Sequence, residues 1–260
     1  MIPGRPDDAA PSPVEPRGPA EEPAHAPEPL LELENVHAAY GRFRALFGVS
    51  FSVQRRSVVA LLGPNGAGKS TVARVATGLV PVTSGQVRFD GRDVTDLRTD
   101  RRTRLGISYA PEGRSVFATL TVEENLALPV RREHGRAATA AALEKAYHAF
   151  PQLASHRHQR AGTLSGGEQR MLSLASVLVE PPQLLVVDEL SLGLAPVVID
   201  AVFHTLAEIR DAGTSLLIVE QHVDRALSLA DHVVLLNKGE VVRQGPVEEL
   251  RAHATSLPGL

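Results

Sequence analysis

The chain contains no cysteine and no tryptophan, and it has only three tyrosines and seven phenylalanines among its 260 residues. Without cysteine it cannot form a disulfide framework, a thiolate-ligated zinc site or a thiol nucleophile. An aromatic fraction of 4% leaves too few rings for the aromatic belts of membrane spans or the stacking platforms of single-strand binding proteins. These classes of protein are therefore excluded.

Charge of one sign and long apolar runs are also missing. Lys and Arg number 27 against 30 Asp and Glu, a net charge of −3, so we expect no nucleic-acid partner. No run approaches the roughly 20 apolar residues of a membrane helix, and the first residues lack the apolar centre of a secretion signal. The sequence predicts a cytoplasmic protein.

Proline separates the first residues from the rest. Nine of the nineteen prolines lie in residues 1–29, among Ala, Glu and Asp. Because proline removes a backbone donor and fixes an extended geometry, we predict a disordered arm at 1–29. We expect a folded domain at 30–252 and a C-terminal tail at 253–260.

Five short apolar runs predict buried strands of a mostly parallel sheet. They are SVVALLG (57–63), GISYAP (106–111), PQLLVVDE (182–189), TSLLIVE (214–220) and DHVVLLNKG (231–239). Between the second and third runs the pattern becomes helical, which predicts a helical subdomain at about 113–178 inserted into an α/β core.

The segment GPNGAGKST follows the first run and fits the pattern G-x-x-x-x-G-K-[ST]. Its glycines let successive amides turn toward an anion, and the following helix adds its positive end. Lys69 supplies a charge for the β and γ phosphates of a nucleotide, and the Ser70 hydroxyl is suited to Mg²⁺. The predicted nucleotide-binding residues here are Gly63, Pro64, Asn65, Gly66, Ala67, Gly68, Lys69, Ser70 and Thr71.

An acidic pair, Asp188 and Glu189, ends the third run. Ligands of open α/β sheets bind at the carboxyl ends of the strands. We therefore predict that Asp188 holds the metal and that Glu189 polarises the attacking water.

The string LSGGEQR precedes another helical run and predicts a second anion site, formed by Ser165, Gly166 and Gly167 at a helix start, with Glu168 as a further predicted nucleotide-binding residue. One chain with one nucleotide does not obviously need two such sites. With these motifs, about residues 30–250 resemble the ABC-type ATPases, which have a P-loop α/β core, a small antiparallel β region and a helical subdomain. In that family ATP is sandwiched between the phosphate loop of one subunit and the LSGGEQ signature of another. The resemblance also implies that Tyr40 stacks on adenine.

Further strings resemble the second ATP-binding subunit of branched-chain amino-acid importers: PEGRSVFATLTVEENL (111–126), QRAGTLSGGEQ (159–169) and ELSLGLAP (189–196). Glu112, Gln221 and Leu194 depart from most ABC ATPases in the way this subfamily does. The resemblance places Glu112 near the metal and leaves open whether Gln221 or His222 contacts the γ-phosphate. Leu190 stands where the family has proline, so we expect a looser strand exit.

The resemblance implies an ATPase that uses ATP and Mg²⁺, lies on the inner face of the plasma membrane and drives an importer. Its partners would be membrane permease subunits, a second ATP-binding subunit and, indirectly, a substrate-binding protein. A homodimer, another cargo such as urea, another amino acid or an exported lipid, and a non-transport ABC ATPase remain alternatives. Two basic stretches, at Arg101, Arg102 and Arg104 and at His156 and His158, are predicted to be solvated surface.

Overall fold

The computed structural model describes residues 28–111, 116–131, 135–191, 194–220 and 223–253. Its strands are β1 (Leu31–Tyr40), β2 (Phe43–Val53), β3 (Val58–Leu62), β4 (Val82–Phe89), β5 (Arg92–Asp93), β6 (Ile107–Ala110), β7 (Leu184–Asp188), β8 (Ser215–Val219), β9 (His232–Asn237) and β10 (Glu240–Pro246). Its helices are α1 (Lys69–Ala76), α2 (Thr99–Arg104), α3 (Val122–Arg131), α4 (Gly135–Ala149), α5 (Pro151–Ser155), α6 (Gly166–Val179), α7 (Pro196–Asp211), α8 (Val223–Leu229) and α9 (Val247–His253). Most of the predicted arm (residues 1–27) and most of the predicted tail (254–260) lie outside the described residues.

A six-stranded sheet in the order β10-β9-β3-β8-β7-β6 forms the centre of the fold. Neighbouring strands from β9 to β6 run parallel, and β10 pairs antiparallel with β9. Every residue of β3, β7 and β8 is buried, as expected where both faces of a parallel sheet are covered. The five predicted strands and their mostly parallel arrangement are confirmed.

The two faces of this sheet belong to two separate hydrophobic cores. Side chains alternate along each strand, so that in β3 Val59 and Leu61 face one core while Val58, Ala60 and Leu62 face the other. The first core is completed by α1 and a four-stranded antiparallel sheet in the order β2-β1-β4-β5. The second is completed chiefly by α6 and α7. This alternation leaves the carboxyl ends of the parallel strands as one edge on which ligands can bind.

Helices α3 to α6 lie between β6 and β7 in the chain and pack on one another. Helix α3 begins with a capping box: the Thr121 amide donates to Glu124 Oε2 at 2.8 Å, and the Glu124 amide donates to Thr121 Oγ1 at 3.1 Å. Leu126, Phe150 and Leu172 join these helices to the second core. The inserted helical subdomain is therefore present.

Arg102 contradicts the expectation of a solvated basic face. Its side chain is 1% exposed, and its guanidinium donates to the carbonyl oxygens of Val75, Ala76, Thr95 and Leu97 at 2.7 to 3.0 Å. A cation at the C-terminus of α1 meets carbonyls that the helix leaves unpaired. Arg102 is therefore a buried cap, which the run of basic residues in the sequence concealed, whereas Arg101 is exposed.

Within the described part of the chain, none of the helices combines the length and hydrophobicity needed to cross a membrane.

Candidate nucleotide-binding site

The loop between β3 and α1 curls around the ammonium group of Lys69. Lys69 Nζ donates to the carbonyl oxygens of Gly63 at 2.9 Å and Pro64 at 3.1 Å, and the side chain is 4% exposed. The turn requires glycine: a Cβ on Gly63 would stand 2.1 Å from the Leu236 carbonyl oxygen, and Gly68 has a φ of 102°. The sequence thus builds a narrow loop with a cation inside it.

The start of α1 is suited to an anion. Gly68 occupies the N-cap and provides no side-chain cap, and the first turn contains no acidic residue. The first amides of a helix lack partners within the helix and carry its positive dipole end. Lys69 adds its own charge, so that this helix end can bind phosphate.

Ser70 and Asp188 meet at the carboxyl edge of the sheet. The Ser70 hydroxyl donates to Asp188 Oδ1 at 3.0 Å, and the Tyr109 hydroxyl donates to Asp188 Oδ2 at 2.9 Å. Asp188 is completely buried at the end of β7. The sequence motifs predicted that Ser70 and Asp188 both serve the metal, which stays a prediction, and they did not include Tyr109.

Burial raises the pKa of the Asp188 carboxyl, while hydrogen bonds from Tyr109 and Ser70 oppose this rise because they favour the ionised form. Burial beside that carboxylate also raises the pKa of the Tyr109 hydroxyl. The phenol therefore stays protonated and remains a donor at neutral pH. A buried carboxylate with two hydroxyl partners is a site that a cation would stabilise.

These donors fit a magnesium ion. A hydroxyl and a carboxylate are hard oxygen ligands, and Mg²⁺ is usually held by one or two carboxylates together with phosphate oxygens and water. Among the described residues no group of three or more His, Cys, Asp or Glu side chains comes together. A cation here would complete its shell with nucleotide phosphates and water.

Glu189 follows Asp188 with a φ of 47°, an uncommon region for a residue other than glycine. Its amide donates to the Val219 carbonyl at 2.8 Å, and its carbonyl accepts from Arg170 Nη1 at 3.0 Å. The same Arg170 nitrogen donates to the Leu190 carbonyl at 2.5 Å. Two neighbouring elements, β8 and α6, therefore fix the backbone that carries the Glu189 carboxylate.

The strand exit at Leu190, which the sequence predicts to be looser than one with proline, is packed. Leu190 is 1% exposed and packs in the second core. The next residue, Ser191, donates its amide at 3.1 Å and its hydroxyl at 2.5 Å to the buried carboxylate of Glu220. Packing and hydrogen bonds replace the constraint that proline would provide.

An open cavity of about 540 Å³ connects these parts. It is lined by Tyr40, Phe43, Arg44, Ala45, Phe47, Gly66, Gly68, Lys69, Ser70, Thr71, Glu189 and Lys238. Tyr40 is 43% exposed, so its ring is available for stacking. Another cavity, of about 420 Å³ between the β1–β2 and β9–β10 hairpins, is lined by none of the predicted site residues that the structure describes.

The predicted signature residues, Ser165 to Glu168, do not line the 540 Å³ cavity that contains Lys69. Ser165 is the N-cap of α6, where its hydroxyl accepts from the Glu168 amide at 3.3 Å and Glu168 Oε2 accepts from the Ser165 amide at 2.8 Å. These hydrogen bonds lower the pKa of the Glu168 carboxyl. His156 Nδ1 lies 3.5 Å from Glu168 Oε1, so the predicted solvated histidine loop borders the signature.

Three predicted site residues, Glu112, Gln221 and His222, lie outside the described residues. Sequence reasoning missed Tyr109, Arg170, Glu220 and Arg74, whose guanidinium donates to the Tyr40 hydroxyl at 3.5 Å. Tyr109 had a usable signal: a polar hydroxyl within an apolar strand, one strand away from the acidic pair. The other three needed the tertiary arrangement to be recognised.

The family model described as ABC transporter matches residues 46–191. The branched-chain amino acid transport ATP-binding protein BraG of Pseudomonas aeruginosa is 39% identical over 216 residues, 82% of this chain and 91% of that protein. The chain therefore belongs to the ABC transporter family and is an ATP-binding subunit with the family's ATPase fold.

Other relatives carry related names. The probable branched-chain amino acid transport ATP-binding protein LivF of Archaeoglobus fulgidus is 40% identical over 228 residues, 86% of this chain and 95% of that protein. The lipopolysaccharide export ATP-binding protein LptB of Haemophilus influenzae is 31% identical over 225 residues, 85% of this chain and 92% of that protein. A solved nucleotide-free ATP-binding cassette superposes with a TM-score of 0.76 at 28% identity, covering 89% of this chain and 96% of that chain. The fold prediction is confirmed.

Proposed function

We propose that this chain is a Mg-ATP hydrolase that powers import of branched-chain amino acids. The observation that carries the proposal is the joining of three groups around one cavity: Lys69 in its loop, Ser70 on the carboxylate of Asp188, and Glu189 one residue further on. Phosphate binding, metal binding and a base for water are the three requirements of phosphoryl transfer from a nucleotide.

In this mechanism Lys69 and the first amides of α1 hold the β and γ phosphates, and Tyr40 stacks on the adenine ring. Ser70 and Asp188 would hold Mg²⁺, with Glu112 nearby, and the bound ion would neutralise charge on the phosphates. Glu189 accepts a proton from water as the water oxygen bonds to the γ-phosphorus. The bond between that phosphorus and the β,γ-bridging oxygen breaks, leaving ADP and inorganic phosphate. Gln221 or His222 would contact the γ-phosphate.

The signature supports a second part of the proposal. Ser165, Gly166 and Gly167 lie at a helix start that does not line the chain's own cavity, so they would bind the γ-phosphate held by another ATP-binding subunit. ATP would thus close a dimer that opens after hydrolysis, a two-state element biased by its ligand. We propose a heterodimer, with a homodimer as the alternative.

The cargo and the location of the protein are proposed from its relatives. BraG and LivF carry names of branched-chain amino acid transport, whereas LptB is named for lipopolysaccharide export. We propose that the chain binds permease subunits on the cytoplasmic face of the plasma membrane, with a substrate-binding protein acting indirectly. Uptake of radiolabelled leucine, with urea as the control solute, should fall in cells that lack this chain; unaltered leucine entry would overturn the cargo.

Substitution of Glu189 by Gln tests the chemistry. The variant should retain ATP binding and lose hydrolysis by about 100-fold or more, the contribution of a positioned general base. Glu144→Gln, at an exposed position of α4, is the matched control and should hydrolyse ATP at the parental rate. Mixed with the second ATP-binding subunit and saturating ATP, Glu189→Gln should form a complex with the mass of one copy of each subunit in light scattering. Parental hydrolysis by Glu189→Gln would show that Glu189 is not the base.

A further inference from the structure

Tyr109 occupies a position from which it reaches the metal-binding carboxylate without belonging to any of the sequence motifs. It lies in β6, paired in parallel register with Val186 of β7. Because Asp188 is two residues beyond Val186, its side chain is on the same face of the sheet as those of Val186 and Tyr109. The Tyr109 hydroxyl spans the remaining separation and donates to Asp188 Oδ2 at 2.9 Å.

Arg74 of α1 lies beside the two tyrosines of the site. Its guanidinium donates to the Tyr40 hydroxyl at 3.5 Å, and its positive charge opposes the rise that burial and Asp188 cause in the pKa of Tyr109. Among the described residues, the acceptor for the single proton of the Tyr109 hydroxyl is Asp188 Oδ2.

The two oxygens of Asp188 are thus held by different elements: Oδ1 by Ser70 of α1 and Oδ2 by Tyr109 of β6. Two hydrogen bonds to opposite oxygens fix the plane of a carboxylate, whereas one would allow it to rotate about its terminal bond. Partners that orient a metal-binding carboxylate in this way affect metal affinity without contacting the metal.

We propose that Tyr109 is a positioning residue that fixes the Asp188 carboxylate for the divalent cation. This inference rests on the proposed function, because it takes Asp188 as the residue that holds the cation. According to this proposal, metal binding also depends on the Tyr109 hydroxyl, and Tyr109 lies outside the phosphate loop, the signature and the acidic pair.

The test is Tyr109→Phe in the full chain, which keeps the ring and removes only the hydroxyl. Manganese is the probe: its affinity is measured by electron paramagnetic resonance in the presence of saturating ADP. The variant should bind Mn²⁺ about tenfold more weakly, at the lower end of the losses seen when such partners are removed. Affinity for ADP in EDTA should stay within about twofold of the parent, since hydrogen bonds lost at the carboxylate do not contact the phosphates.

Tyr147→Phe is the matched control. Its hydroxyl is buried in the helical subdomain and has no hydrogen-bond partner among the described residues, so its loss should leave Mn²⁺ affinity unchanged. Asp188→Asn is the second comparison and should lose more Mn²⁺ affinity than Tyr109→Phe.

The outcomes separate the inference from the proposed function. If Asp188→Asn binds Mn²⁺ as the parent does, the metal assignment of the proposed function is wrong. If Asp188→Asn loses Mn²⁺ but Tyr109→Phe behaves like Tyr147→Phe, the metal assignment stands and the role of Tyr109 is overturned. If Tyr109→Phe loses ADP affinity in EDTA to the same extent as Mn²⁺ affinity, Tyr109 acts on the whole pocket and the proposed positioning role is also overturned.

Discussion

The N-termini of α1 and α6 are both predicted to bind phosphate, yet the structure builds them differently. Helix α1 begins after Gly68 with no side-chain cap and no acidic residue in its first turn. Helix α6 begins with a complete capping box, in which Ser165 and Glu168 bind each other's amides. One helix end is left for a ligand, whereas the other is already partly satisfied by its own side chains.

The difference indicates how each end would meet a nucleotide. Lys69 adds a positive charge at α1, while Glu168 is ionised and places a negative charge at α6. An anion is therefore attracted strongly to α1 and only through the backbone and the Ser165 hydroxyl to α6. A strong phosphate site at α1 and a weak one at α6 are suited to a nucleotide that stays bound to α1 of one subunit and recruits α6 of the other.

Among the variants that test the difference between the N-termini of α1 and α6, Lys69→Ala should have the largest effect. Affinity for a fluorescent ATP analogue should fall by about 100-fold, because a buried charge-assisted contact to phosphate is lost. Ser165→Ala should leave the affinity of the isolated chain for the analogue within about twofold of the parent, since no residue of α6 lines the chain's nucleotide cavity. Lys145→Ala, at an exposed position of α4, controls for loss of charge. Equal losses in Lys69→Ala and Ser165→Ala would mean that both helix ends bind one nucleotide in the same chain.

Replacement of Arg102 by Met examines the other end of α1. The variant loses the donors to four carbonyl oxygens, and buried acceptors without partners are costly. We expect the free energy of unfolding to fall by about 2 kcal/mol, which lowers the melting temperature by about 4–8 °C for a chain of this size. Calorimetry would measure this change directly.

Arg101→Met provides the comparison within the same helix. Arg101 is exposed and its closest acidic oxygen, of Asp100, is 4.0 Å away, so its loss should alter the melting temperature by no more than about 2 °C. A similar shift for the two variants would show that the buried guanidinium does not stabilise α1.

Much of the fold and of the site follows from local sequence signals. The apolar runs around β3, β7 and β8 and the glycines of the phosphate loop have a direct physical meaning, so the sheet and the loop between β3 and α1 could be predicted. Arg102 and Glu220 could not, because each acts on groups far away in the chain, and for Tyr109 the signal was a single hydroxyl within an apolar strand. Their side chains look like ordinary strand or surface residues until the tertiary fold brings an acceptor or donor to them.

Glu168→Gln should have the smallest effect, and it tests the charge difference between the starts of α1 and α6 most directly. The glutamine oxygen can still accept from the Ser165 amide, so the cap is kept while the negative charge is removed. In the Glu189→Gln background, ATP-dependent dimers with the second ATP-binding subunit, measured by light scattering, should then form with about two- to fivefold higher affinity, the value of one charge at a helix end. Glu124→Gln makes the same change in the capping box of α3, which is not part of the predicted anion site, and should leave dimer affinity unchanged. If Glu168→Gln weakens the dimer, the carboxylate itself contacts the nucleotide or the second subunit. Glu168 would then stabilise the dimer, and the prediction that its charge repels the bound phosphate would be wrong.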